Sequence, residues 1–121
     1  MNQYELQQEI YSFLVDRVSV PVYDRVPEGK QGNYIKIGDT TTNPHFTDET
    51  FGSDNVVTIH IYSNHAGKEK IKSIMNEIFG ILNRNDEFNA VTIYCDHQQT
   101  FDINDGKYSH GIMRFRVIKE L

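Results

Sequence analysis

The last thirty residues restrict the fold more than any other stretch. Two alternating runs, "AVTIYCDHQQTF" and "KYSHGIMRFRVIKE", flank the segment "DINDG" and read as a β-hairpin. The turn decides which side chains face each other. A two-residue loop of Asp105 and Gly106 sets Cys95 against Arg116 and Asp96 against Phe115, which mixes charged and apolar groups on both faces. A three-residue loop, Asn104 to Gly106, needs a positive φ at its last position, where glycine stands. It gathers Val91, Ile93 and Cys95 opposite Lys119, Val117 and Phe115 as a core face, with Met113 beside His97. The other face then pairs Asp96 with Arg114 and Tyr94 with Arg116. These are an opposite-charge pair and a cation–π pair, each contributing about 0.2–1 kcal/mol. A one-residue slip would invert both faces, so the three-residue loop is expected. It gives Arg114 and Arg116 local partners; the competing reading makes them phosphate ligands.

Upstream, Leu6, Ile10, Phe13 and Leu14 recur at helical spacing and predict a helix over about 2–18, ended by Pro21. A short extended piece and a loop with Pro27, Gly29 and Gly32 follow. "NYIKIGD" alternates as a strand. "NVVTIHIYS" alternates more clearly, with Val57, Ile59 and Ile61 on one side and Val56, Thr58, His60 and Tyr62 on the other. Between them "TTTNPHFTDETFGSD" lacks periodicity, and a long loop over about 39–54 is expected, carrying Phe46 and Phe51. Ser63 or Asn64 is the expected cap of a second helix with the stripe Ile71, Ile74, Met75, Ile78 and Leu82. The order α-β-β-α-β-β over residues 1–121 predicts one α+β domain, a mainly antiparallel sheet with two helices on one face.

If the strands share one sheet, the face away from the helices displays Tyr34, His60, Tyr62, Tyr94, Asp96, Ile112, Arg114 and Arg116, with Val56, Thr58 and Ile118. So much aromatic and aliphatic surface on a small domain marks a protein interface, and self-assembly is the physical expectation. These eight residues, with Phe46 and Phe51, are the interface candidates. The bland alternative is that the N-terminal segment or the long loop folds over this face.

Composition narrows the function classes. The net charge is −5, which gives no general attraction to phosphate. Cys95 is the only cysteine, so neither an intrachain disulfide nor a multi-cysteine zinc site can form. Cys95 falls on the core face, the setting of a small hydrophobe rather than a nucleophile. The five histidines lack metal-motif spacing, although Asp96, His97 and Asp102 could be read as ligands of a hydrolase metal. No glycine-rich phosphate loop, nucleophile elbow or preorganised carboxylate pair is present. The start has no secretion-signal pattern and no stretch is apolar enough to cross a bilayer, so no membrane, cofactor or metal is expected.

Three blocks then carry a resemblance. "VYDRVPEGKQGNYIKIGD", "VVTIHIYSNHAGKEKIKSIMNEIFGIL" and "DINDGKYSHGIMRFRV" resemble, in order and spacing, the tail-completion (tail terminator, or head–tail joining) proteins of long-tailed bacteriophages and prophages. The family pattern has a Val-Tyr-Asp block, a strand ending in an aromatic-Ser pair, here Tyr62-Ser63, and a His-Gly step, here His110-Gly111. Tryptophan is common where Tyr62 stands, a conservative departure. The resemblance implies a non-enzymatic homo-oligomer, a hexameric ring of the virion. Such a ring would cap the head-proximal end of the tail tube, stop its growth and meet both the tube protein and the head connector. DNA would pass through it unbound. The rivals are a ferredoxin-like module for a small ligand or RNA, of which the element order is a cyclic shift, and the metal-dependent hydrolase.

Overall fold

The computed structural model describes residues 3–46, 51–65, 68–85, 91–103 and 107–120. The expected α+β architecture is present. The elements are α1 (Gln3–Val15), β1 (Val22–Tyr23), β2 (Tyr34–Phe46), β3 (Phe51–Ser63), α2 (Glu69–Leu82), β4 (Val91–Ile103) and β5 (Tyr108–Glu120). One five-stranded sheet runs in the order β1-β2-β3-β5-β4. All pairings are antiparallel except the short β1 against β2. Because β5 lies between β3 and β4, the β3-α2-β4 unit is a split βαβ, which accounts for the ferredoxin-like element order. That likeness concerns architecture and carries no function with it.

Both helices lie on one face because each offers a single apolar stripe. Leu6, Ile10 and Leu14 of α1 and Ile71, Ile74, Ile78 and Leu82 of α2 are essentially solvent-free. They meet Ile35, Ile37, Val57, Ile59, Ile61, Ile93, Met113, Phe115 and Val117 from the sheet. Ser19, just after α1, donates from its backbone N–H and its hydroxyl to Glu77 at 3.0 and 2.8 Å, which ties the two helices. α1 stops at Val15, three residues short of the expected end. α2 begins at Glu69 with Lys68 at the cap position and no side-chain cap bond. Ser63 is instead the buried last residue of β3, accepting from the His65 backbone N–H at 3.2 Å. Asn64 likewise does not cap the helix; its backbone N–H donates to Asn33.

The expected loop over 39–54 is a correction. β2 and β3 pair from Tyr34–Tyr62 out to Phe46–Phe51, past a bulge between Ile37 and Thr40. Polar residues on both sides hid the alternation there. β5 supplies what the pattern lacked, because its backbone pairs β3 as far as Gly52–Glu120 and extends the ladder. Buried Asn55 fastens this end of the sheet. Its Nδ2 donates to the Val117 carbonyl and to Ser53 Oγ, each at 3.1 Å, while Thr42 donates to its Oδ1 at 2.7 Å. Residues 47–50, which were part of the loop expectation, lie outside the described residues.

The C-terminal hairpin splits between the two registers weighed from sequence. Val91–Lys119, Ile93–Val117, Tyr94–Arg116 and Cys95–Phe115 follow the expected register. A bulge between Cys95 and His97 then shifts the ladder by one residue. His97 consequently opposes Arg114, Gln98 opposes Met113 and Ile103 opposes Tyr108. The placement of Met113 beside His97 is therefore corrected, and the ladder approaches the turn in the register of the two-residue loop rather than the expected one; the turn residues 104–106 lie outside the described residues. The outer edge of β4 before the bulge is capped by the end of α2: Arg84 N–H donates to the Ile93 carbonyl at 2.7 Å, and Cys95 N–H donates to Asn83 Oδ1 at 2.8 Å. Arg84 turns with φ at 56° to make this contact. An exposed strand edge is thereby blunted against unwanted pairing.

Candidate functional site: an aromatic row on the open sheet face

Neither helix reaches the second face of the sheet, and the described residues leave it open. Five rings cross it, one from every strand. Tyr34 of β2 stacks on Tyr62 of β3 with centroids 4.9 Å apart, and Tyr62 stacks on His110 of β5 at 4.4 Å. Tyr23 of β1 closes one end edge-on to Tyr34 at 6.1 Å, and Phe101 of β4 closes the other edge-on to His110 at 4.7 Å. The central spacings match the distance between neighbouring strands. The stacked rings therefore stand upright on the sheet, their faces turned to one another and their edges outward.

His60 sits one row along, with Nδ1 3.1 Å from His110 Nε2. Burial holds both imidazoles below their ordinary value; nearby Lys36 lowers His60 further against an opposing pull from Asp39, and His60 lowers His110. Burial, then the neighbouring Tyr34, pushes the Tyr62 phenol up, so it stays un-ionised at neutral pH. The β2 bulge makes room for His60. A Cβ on Gly38 would lie 2.7 Å from its Cδ2 and 2.8 Å from the Thr58 carbonyl oxygen. Gly38→Ala is thus expected to cost about 1–3 kcal/mol, measurable as a lower urea midpoint with an unchanged slope.

The candidates divide clearly. Tyr34, His60 and Tyr62 join the row and its flank. Ile112 opposes His60 and Gln99. Arg114 Nε donates to Asp96 Oδ1 at 2.8 Å, as expected, although Asp96 reaches it from the bulge. Tyr94 opposes Arg116, but the charge partner of Arg116 is Asp54 of β3, which its guanidinium grips in a forked contact with one arm at 3.3 Å. The hydrogen bond to Asp54 and its charge hold Arg116 firmly protonated. Phe46 and Phe51 pair through their backbones; their side chains lie outside the description. Tyr23, Phe101 and His110 were missed. β1 is too short to show a period and Phe101 reaches this face only through the bulge, whereas His110 shares the strand parity of Ile112, Arg114 and Arg116 and could have been found from it.

The rival chemistries find little support in this geometry. Asp96 and Asp102 are six residues apart along β4, about 20 Å for an extended strand, and cannot share an ion. Among the described residues no group of three metal-ligating side chains comes together. Burial pushes the Cys95 thiol up, away from the thiolate a nucleophile needs. An open cleft of about 530 Å³ at the Tyr34–Tyr62 end is lined by Lys30, Asn64, Lys107 and Tyr108 among others, and among the described residues no carboxylate, imidazole or thiol lines it. Base stacking would need exposed ring faces beside unpaired cations. Here the central ring faces are occupied, both arginines are matched by aspartates, and Lys30 already lies over the Tyr23 ring, its Nζ 5.8 Å from the centroid.

The family model for "Tail completion protein gp17" matches residues 12–120, nearly the whole chain. The chain belongs to that family. As a tail completion protein it is a structural component of phage tails. No curated protein sequence matches it. A chain in a solved structure described as "Virion of native gene transfer agent (GTA) particle" shares its fold, with TM-score 0.80 at 20% identity, covering 96% of this chain and 95% of that one. For this tail completion protein the open face, rather than a catalytic pocket, is the feature that asks for a function.

Proposed function

We propose that this tail completion protein assembles as a closed ring, a hexamer on the family resemblance, at the head-proximal end of a tail tube in the virion. There it stops tube growth and offers the head connector a docking surface. The observation that carries the reading is the aromatic row with Ile112 and two matched Arg–Asp pairs on a sheet face that the described chain leaves open. Such a face suits contact with copies of itself and with the tube protein: apolar ring edges and aliphatics at its centre, paired charges toward its rim. The matched charges and the net −5 suit a wall that lets DNA pass without gripping it.

Adding the purified chain to polymerising tube protein and imaging the product tests this. Tubes should stop elongating and carry one ring at one end. Tubes that lengthen unchecked, with no density at either tip, would refute it.

A further inference from the structure

Assembly through an apolar face needs no histidine, yet two histidines touch at the centre of this one. His60 Nδ1 and His110 Nε2 are 3.1 Å apart, the distance of an N–H···N hydrogen bond, which one ring donates and the other accepts in the tautomers that close it. Neither ring is free to step aside within the row. His110 is stacked on Tyr62 and abutted by the Phe101 ring, and His60 rests on the bare backbone of Gly38. An N–H···N contact needs one imidazole to donate and the other to accept, so it survives one added proton but not two, since two imidazoliums are both donors. Among the described residues, the titratable and charged groups around the pair are Tyr34, Lys36 and Asp39 of β2, Tyr62 of β3, Arg114 of β5, and Asp96 and His97 of β4. Asp96 is occupied by Arg114, which leaves Asp39 as the carboxylate opposing the pair's repulsion.

We propose that His60 and His110 form a proton-operated latch on the open face, closed while they share one N–H···N bond and opened when both rings are protonated. Opening it separates the rings, turns His110 out of its stack with Tyr62 and disrupts the surface that copies would cover; this last consequence rests on the assembly reading above. The direction in pH follows from the geometry and from burial. Both rings titrate below the ordinary imidazole value of 6.5. The closed pair is therefore complete above that value and is lost as pH falls through the lowered ones. The latch opens toward acid and is indifferent toward alkali.

Imidazole and aromatic NMR of the full chain from about pH 8 to about pH 5, with solution mass at both ends, tests the proposal. The expected result is two separated titration steps, both acid of a free imidazole, with the Tyr62 ring signals moving at the second. Association should weaken about tenfold or more over the same span. His110→Phe keeps a ring in the stack and His60→Gln keeps a polar partner; either should abolish the second step and make association insensitive to pH in this range. Independent titration of the two rings at the ordinary value, or a stationary Tyr62, would overturn the latch. So would identical acid dissociation of the wild type and both variants. A chain that stays monomeric at every pH while the rings titrate in two steps would refute the assembly reading and leave the latch standing.

Discussion

Ile112→Glu is expected to weaken self-association on the order of 100-fold, about 3 kcal/mol, while leaving the monomer folded. Ile112 lies near the middle of the open face, between His60 and Gln99, and is only partly buried by its own chain. In an isolated domain a glutamate there reaches water, and surface substitutions of that kind change stability by about half a kilocalorie per mole. In an assembly that covers the face, the carboxylate loses its water, and the arginines on its own strand, Arg114 and Arg116, are already held by Asp96 and Asp54. Sedimentation of wild type and variant over a concentration series, with circular dichroism of each, reads both halves of the expectation. An unchanged association constant would place the interface elsewhere.

Phe115→Ala is expected to be the most damaging single change to the fold. Phe115 is completely buried on β5, paired with Val57 on one side and Cys95 on the other, where the sheet meets the helices. Truncation removes the largest fully buried side chain among the described residues and leaves a void that flanking strands cannot close. The loss should be about 3–5 kcal/mol, lowering the melting temperature by about 10–20 °C for a domain of this size. Calorimetry at fixed protein concentration checks it, since any self-association also contributes to the midpoint. Read beside Ile112→Glu, it separates the two faces of one strand: three residues apart, one side chain holds the monomer together and the other is reserved for contact.

How much of this was legible depended on where apolar residues could enforce a choice. Ile93, Val117 and Phe115 demand one side of the sheet, and the pairing around them was readable for that reason. Nearer the turn, His97, Gln98, Gln99 and Thr100 are polar on both faces, so nothing in the pattern penalises a slip. The ladder shifts there, and the shift delivers Phe101 to the open face. The outer part of the β2–β3 pair is similar: Thr40 to Asn43 and Ser53 to Asn55 give no apolar alternation, and the neighbouring β5 backbone, invisible in local sequence, supplies the ladder. The helix stripes were legible because leucine and isoleucine recur at helical spacing. The row was half legible. Tyr34 and Tyr62 follow from strand parity, whereas Tyr23 depends on a two-residue parallel pairing that no period announces.

On this reading the row becomes covered when copies meet. Hydroxyl-radical footprinting of the chain, dilute and assembled, measures this side chain by side chain. Tyr4, which is 69% exposed on α1, serves as the reference on the opposite side of the sheet. Tyr34, Tyr62 and Phe101 are expected to lose reactivity on assembly relative to Tyr4. Equal reactivity of the row in both states, or protection confined to the helical side, would contradict it.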